Sequence, residues 1–198
     1  MFYNIVKTLA SIIFKIVFRV KVQGTQNIPD EGKLIICANH AHNLDPILVS
    51  IVVPRQINWM AKKELFKNKA LNFLVRSLGA FPVDREESDI TAIKNALRVL
   101  INDNALGIFP EGTRVSGINL ENAKPGVALL SIKSQSPLIP ILIESNYKFF
   151  NKVNIYIGEP MDLSGYYNKK LTTEEYSDIS RDILRSIYGL STNEGDVK

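Results

Sequence analysis

The chain has 198 residues, 45% of them apolar, and its 24 basic and 20 acidic side chains leave a net charge of +4. That length suits a single domain with a substantial core, and the lone cysteine, Cys37, excludes an internal disulfide. The whole charge excess sits in residues 1–21, as Lys7, Lys15, Arg19 and Lys21 without an acid, which excludes a broad nucleic-acid face over the balanced remainder.

The first predicted element is a helix over residues 1–20. On a helical wheel Asn4, Lys7, Thr8, Ser11, Lys15 and Arg19 share one arc of about 120° at ~100° per residue. Nearly everything else is apolar, and Phe18 breaks the pattern by falling inside the polar arc. A spanning helix would bury two lysines at roughly 2.5–3.5 kcal/mol each, against about 0.3–0.6 gained per large apolar residue. A signal peptide would need a basic start and a small-residue cleavage site, and neither is present. Docking of the helix on the protein's own core is the competing reading. The single polar stripe and positive charge favour a helix lying in a membrane interface.

Gly24, Pro29, Asp30 and Gly32 then mark a loop. Strands are expected at 33–38, 57–61, 79–83, 105–109, 138–144 and 153–157. Helices are expected between and after them at 46–53, 63–77, 89–101, 125–134 and 173–188. Ser88 reads as the cap of the helix carrying Ile90, Ile93, Leu97, Leu100 and Ile101 on one face. Such alternation predicts an α/β fold: one domain, a mostly parallel central sheet flanked by helices, and the N-terminal amphipathic membrane-interface helix. The expected division is the helix at 1–20, the main domain at 21–190 and a frayed tail at 191–198.

Chemistry concentrates at the exit of the first of those predicted strands. Asn39-His40-Ala41-His42-Asn43-Leu44-Asp45 follows the apolar run Leu34–Ala38. A histidine and an aspartate five apart can form a general base with its orienting carboxylate. On a continuous helix they would point about 140° apart, so the chain must turn between them. Asn43 and Asp45-Pro46 supply turn residues, although Asp45 can also be read as a helix cap before Pro46. The only other histidine, His42, lies in the same segment. No Cys, His and Asp cluster accompanies the two, so no metal site is expected. Cys37 reads as an inert packing residue.

Two further segments follow apolar runs, Gly79-Ala80-Phe81-Pro82-Val83-Asp84-Arg85 and Phe109-Pro110-Glu111-Gly112-Thr113-Arg114. With Asn39-His40-x4-Asp45 before them, Ile139-Pro140-Ile141 after them and Ala61-Lys62-Lys63-Glu64-Leu65 between, the ordered set resembles the glycerophospholipid acyltransferase family. The resemblance runs from about residue 20 to 160. The set resembles in particular the 1-acylglycerol-3-phosphate acyltransferases, that family's best-known members. One departure is His42, where that family usually has a small residue.

The resemblance implies transfer of a fatty acyl chain from acyl-CoA or acyl carrier protein to a lysophospholipid. The acceptor hydroxyl would be the sn-2 hydroxyl of 1-acylglycerol 3-phosphate, and the product phosphatidic acid. His40, Asp45 and Glu111 map to catalytic positions, and Lys62, Arg85, Gly112, Thr113 and Arg114 to substrate-binding ones. No cofactor is implied. No Gly-x-Ser-x-Gly setting offers a nucleophile, so direct attack without an acyl-enzyme is expected, on a lipid surface at the cytoplasmic face of a membrane. Another lysolipid acceptor is the nearest alternative, and a non-catalytic lipid-binding module the more distant one.

Overall fold

The computed structural model describes residues 2–84 and 90–191. Arg85, the Ser88 cap and the tail beyond residue 191 lie outside the described residues.

Among the described residues seven strands form one sheet: β1 (Arg19–Gln23), β2 (Leu34–Ala38), β3 (Ile57–Lys62), β4 (Phe81–Val83), β5 (Ala105–Ile108), β6 (Leu138–Glu144) and β7 (Lys152–Ile157). Their spatial order is β1-β7-β6-β2-β5-β3-β4. Every neighbouring pair is parallel except β6 and β7, which are antiparallel. Among the described residues the α-helices are α1 (Phe2–Val17), α2 (Asp45–Val52), α3 (Lys69–Ser77), α4 (Ile90–Ile101), α5 (Gly126–Ser134) and α6 (Thr173–Gly189).

Strand β2 shows why the sheet lies at the centre. All five of its residues are buried, as a strand covered on both faces requires. Leu34, Ile36 and Ala38 face a core shared with Phe14 of α1 and with Leu48 and Val49 of α2. Ile35 and Cys37 face a core built with α4, α5 and α6. Each fully buried leucine or isoleucine contributes about 1.5–3 kcal/mol, so β2 anchors both layers. Its C-terminal end lies beside that of β5, with Cys37 in register with Ile108. The chain leaves β2 for β3 and β4, returns to β5, then crosses to β6 on the other side of β2. Ligands of open α/β sheets gather at such a switch point, beyond the carboxyl ends of the strands.

Three expectations are corrected. Residues 19–23 form a strand on the sheet edge, and the N-terminal helix stops at Val17. Phe18, anomalous on the helical wheel, lies past the helix end and is buried in the core. The helix expected over 63–77 is two pieces, a 3-10 turn at Lys63–Phe66 and then α3. Asn68 divides them, its side chain accepting from Leu71 N at 3.1 Å as the N-cap of α3. Residues 79 and 80 belong to the end of α3 rather than to a strand, their amides donating to Arg76 O and Val75 O.

Helix α1 is apolar on two sides. Tyr3 and Phe14 are buried, while Phe2, Ile5, Leu9, Ile12, Ile13 and Ile16 are 45–67% exposed. Lys7 departs from the predicted polar stripe. Its ammonium turns inward and donates to Val53 O at 2.5 Å, just past the end of α2, and burial holds its pKa below the usual lysine range. No described helix is long and apolar enough to cross a membrane.

Candidate active site

Beyond β2 the chain winds through residues 41–44 into α2, and this turn brings His40 and Asp45 together. His40 Nδ1 lies 2.9 Å from Asp45 Oδ2. The same oxygen accepts from the amides of Ala41 and His42, each at 2.7 Å. Asp45 therefore does not cap α2; its carboxylate reaches back into the preceding turn, and α2 has no side-chain cap. Both residues are buried, His40 at 6% exposure and Asp45 at 1%. An aspartate in this setting accepts from Nδ1–H, which leaves Nε2 as the nitrogen able to take a proton. Asp45 Oδ1 accepts from the hydroxyl of Tyr147, on the turn between β6 and β7.

The His40 ring is fixed from beneath by aromatic stacking. Phe109 lies parallel to it with centroids 4.0 Å apart, and Trp59 stacks on Phe109 at 4.9 Å. Gly107 makes room for this pile, because a Cβ there would come within 2.5 Å of the Trp59 ring. Asn39 extends the β2–β6 pairing past the strand end, accepting from Ile143 N at 2.7 Å and donating to Ile143 O at 3.0 Å.

Glu111 follows β5 and is buried at 1% exposure. Its Oε2 accepts from the His40 amide at 2.7 Å and its Oε1 from the Tyr188 hydroxyl of α6 at 2.5 Å. Burial, opposed by these two bonds, raises its pKa. The carboxylate thus supports the backbone of His40 instead of lining the cavity. The His40 carbonyl in turn accepts from Val115 N at 2.8 Å, which pins the far side of the same loop. Gly112 takes φ +68, a conformation that favours glycine, and Lys124 packs within 3.2 Å of where its Cβ would lie.

A cavity of about 520 Å³ opens at this point, lined by His40, by Tyr3, Val6, Lys7 and Ala10 of α1, by α2, by β3 and by α3. Its walls are mainly apolar, and Lys62 and Arg114 bring cationic side chains to it. Both are exposed. Lys62 pairs loosely with Glu64 at 3.7 Å, whereas neighbouring Lys63 is engaged by Asp84. Arg114 has no ion pair among the described residues. Thr113 is exposed and is not among the cavity's lining residues. Cys37 lies fully buried with its thiol pushed up by burial, which removes it as a nucleophile. Among the described residues no group of His, Cys, Asp and Glu could hold a metal ion.

The structure thus brings His40, Asp45, Glu111, Gly112 and Arg114 to one strand-end cluster, with Lys62 at the rim. Tyr147 and Tyr188 complete the cluster without any local signal in the sequence. A polar-turn tyrosine and a tyrosine in the apolar pattern of α6 both read as structural.

A buried histidine–aspartate pair beside an apolar cavity with a cationic edge is an arrangement able to supply a base to an amphiphile. The Acyltransferase family model matches residues 19–144. The 1-acyl-sn-glycerol-3-phosphate acyltransferase of Bacillus subtilis is 32% identical over 166 residues, which are 80% of this chain and 82% of that protein. Its counterpart from Streptococcus pneumoniae is 31% identical over 183 residues, 88% of this chain and 67% of that protein. In fold, the chain matches the crystal structure of the 1-acyl-sn-glycerophosphate acyltransferase PlsC from Thermotoga maritima, with a TM-score of 0.76 at 24% identity. That match covers 99% of this chain and 81% of the other. The chain belongs to the Acyltransferase family.

Proposed function

We propose that the protein transfers a fatty acyl chain from an acyl thioester to the sn-2 hydroxyl of 1-acylglycerol 3-phosphate, giving phosphatidic acid and a free thiol. The observation carrying this reading is the His40–Asp45 pair at an apolar cavity edged by Arg114 and Lys62. The volume is within the roughly 300–1,000 Å³ typical of ligand pockets. An acyl chain suits the apolar walls, and a phosphate suits the guanidinium and ammonium.

In this mechanism the acceptor hydroxyl oxygen attacks the thioester carbonyl carbon as His40 Nε2 takes its proton. Asp45 stabilises the resulting imidazolium. The tetrahedral intermediate collapses, the C–S bond breaks, and the proton on His40 passes to the departing sulfur. No acyl-enzyme forms. The relatives' names support the acceptor, and acyl-CoA and acyl carrier protein remain equivalent donors in this scheme. The exposed apolar face of α1 supports work at a lipid surface, and Phe149 and Phe150, 74% and 65% exposed, extend apolar surface beside its end. The Phe150 amide donates to Val17 O there at 2.7 Å.

Release of free thiol from acyl-CoA, or from acyl carrier protein, is the test. It should require lysophosphatidate and disappear in His40→Ala with the fold intact. Turnover in His40→Ala, or thiol release independent of any lysolipid, refutes the reading.

A further inference from the structure

The proposed mechanism uses one oxygen of Asp45 and leaves the other to be explained. Oδ2 carries His40 Nδ1 and the two turn amides. Oδ1 accepts from Tyr147, which lies 102 residues further along the chain. A carboxylate bonded through one oxygen can swing about its last torsion, and a donor on the other oxygen stops that motion. Tyr147 is itself held with care. Its backbone is left-handed, φ +53, a conformation disfavoured for a residue with a large side chain. Its amide donates to Ser145 Oγ at 2.9 Å. Its ring packs edge-on against Phe18 at 6.1 Å and face to face with His42 at 4.2 Å and 22°.

We propose that Tyr147 is a positioning residue of the catalytic base, pinning Asp45 so that its Oδ2 meets His40, with His42 as the brace of the tyrosine ring. This rests on the reading of His40 as the base. It gives His42 a function other than that of a second base or a metal ligand. One face of its ring is covered by Tyr147, and its Nδ1 accepts the Leu44 amide at 3.3 Å. Burial, and secondarily the bond to Asp45, push the phenol pKa far up, so the hydroxyl stays protonated and remains a donor.

The chain has only two histidines, so full-length protein labelled with ¹⁵N-histidine in detergent reports the site directly. Tyr147→Phe keeps the ring and removes the hydroxyl alone. It should lower kcat about ten-fold with the acceptor KM within about two-fold, as expected for loss of one bond to a charged group. The His40 Nδ1 resonance should shift or broaden. In an Asp45→Ala background, which leaves no side-chain oxygen to pin, the same change should cost less than about two-fold, because residues acting through one group are not additive. His42→Ser should broaden the His40 signal and cost about two- to five-fold in kcat, a second handle should Tyr147→Phe fold poorly. Full kcat with an unchanged His40 signal in Tyr147→Phe overturns the proposal. So does an equal loss in both backgrounds, which would make Tyr147 a general structural residue. Should His40→Ala retain turnover, the base reading falls, while the labelled His40 signal still decides whether Tyr147 positions Asp45.

Discussion

Replacing Asp45 by asparagine isolates the charge of the proposed base. Among the described donors, Asp45 Oδ2 receives three bonds and Oδ1 one. An asparagine can keep its carbonyl oxygen at the Oδ2 position and turn its amide toward Tyr147, whose hydroxyl rotates to accept. Shape and hydrogen bonds survive, and the negative charge is lost. With Nδ1 and Oδ2 2.9 Å apart, the centres of an imidazolium and a carboxylate lie roughly 4 Å apart. At an effective dielectric of about 20 their attraction is about 4 kcal/mol. That stabilisation exists only once His40 has taken the proton, so its loss falls on the transition state. At about 1.4 kcal/mol per decade, kcat should drop about 10³-fold, with the acceptor KM little changed. The assay is lysophosphatidate-dependent thiol release, with the thermal midpoint measured in parallel. Retention of more than about a tenth of kcat in a folded Asp45→Asn protein would refute the reasoning.

Glu111→Gln should keep both of its bonds, costing at most about ten-fold in kcat. It should also remove a pH-dependent component of stability: burial raises the folded pKa above 4.5, so the unfolded chain gives up this proton first and stability falls as pH rises from that value through the raised one. Thermal midpoints from pH 4 to 8 should show that component in the parent protein and not in the variant. Arg114→Ala should raise the KM for lysophosphatidate about ten-fold, the lower end for a charge-assisted contact because the arginine is exposed, and should leave use of a neutral monoacylglycerol unchanged; equal losses with both would remove Arg114 from phosphate binding. Ile5→Ser, Leu9→Ser and Ile12→Ser together should leave the thermal midpoint unchanged, since all three are about half exposed, and should sharply reduce sedimentation with anionic vesicles; undiminished binding would place the lipid contact elsewhere.

How far the sequence could be read depended on whether the deciding interaction was local. The His40–Asp45 meeting is five residues in span, so a strand exit followed by turn residues was enough to allow it, with a helix cap at Asp45 as the competing reading. The six strands named from the sequence survive because each carries a dense apolar run between breakers. β1 was missed although Val20 and Val22 alternate with polar residues, because that alternation directly continues an apolar helical stripe. The break at Asn68 was hidden for a similar reason, a capping side chain inside a stretch with helical spacing. Tyr188 meets Glu111 across 77 residues, and it lies in an apolar helix pattern that explains it without the site. The antiparallel turn between β6 and β7, which delivers Tyr147, is a property of the assembled sheet. The inward turn of Lys7 depends on where the carbonyl at the end of α2 comes to lie, which no wheel of α1 alone contains.

Helix α1 connects the proposed lipid surface to the proposed chemistry. Its inner residues Tyr3, Val6, Lys7 and Ala10 form a wall of the same cavity that holds His40, while its outer face exposes six large apolar side chains. At about 1.5 Å per residue its 16 residues extend about 24 Å, short of a hydrocarbon core of about 30 Å. Lying flat it presents its full apolar length to acyl chains, which crossing end-on would not improve. Lys7 then poses a local problem, a cation on a helix with apolar surface on two sides. Its bond to Val53 O answers it at the end of α2, where a cation is favourable to exposed carbonyls. The same bond fixes α1 against the helix that begins with Asp45. A lipid bound on the outer face of α1 and an acceptor hydroxyl at His40 would therefore be separated by little more than one helix, so the proposed acceptor need only slide past α1 to reach the base.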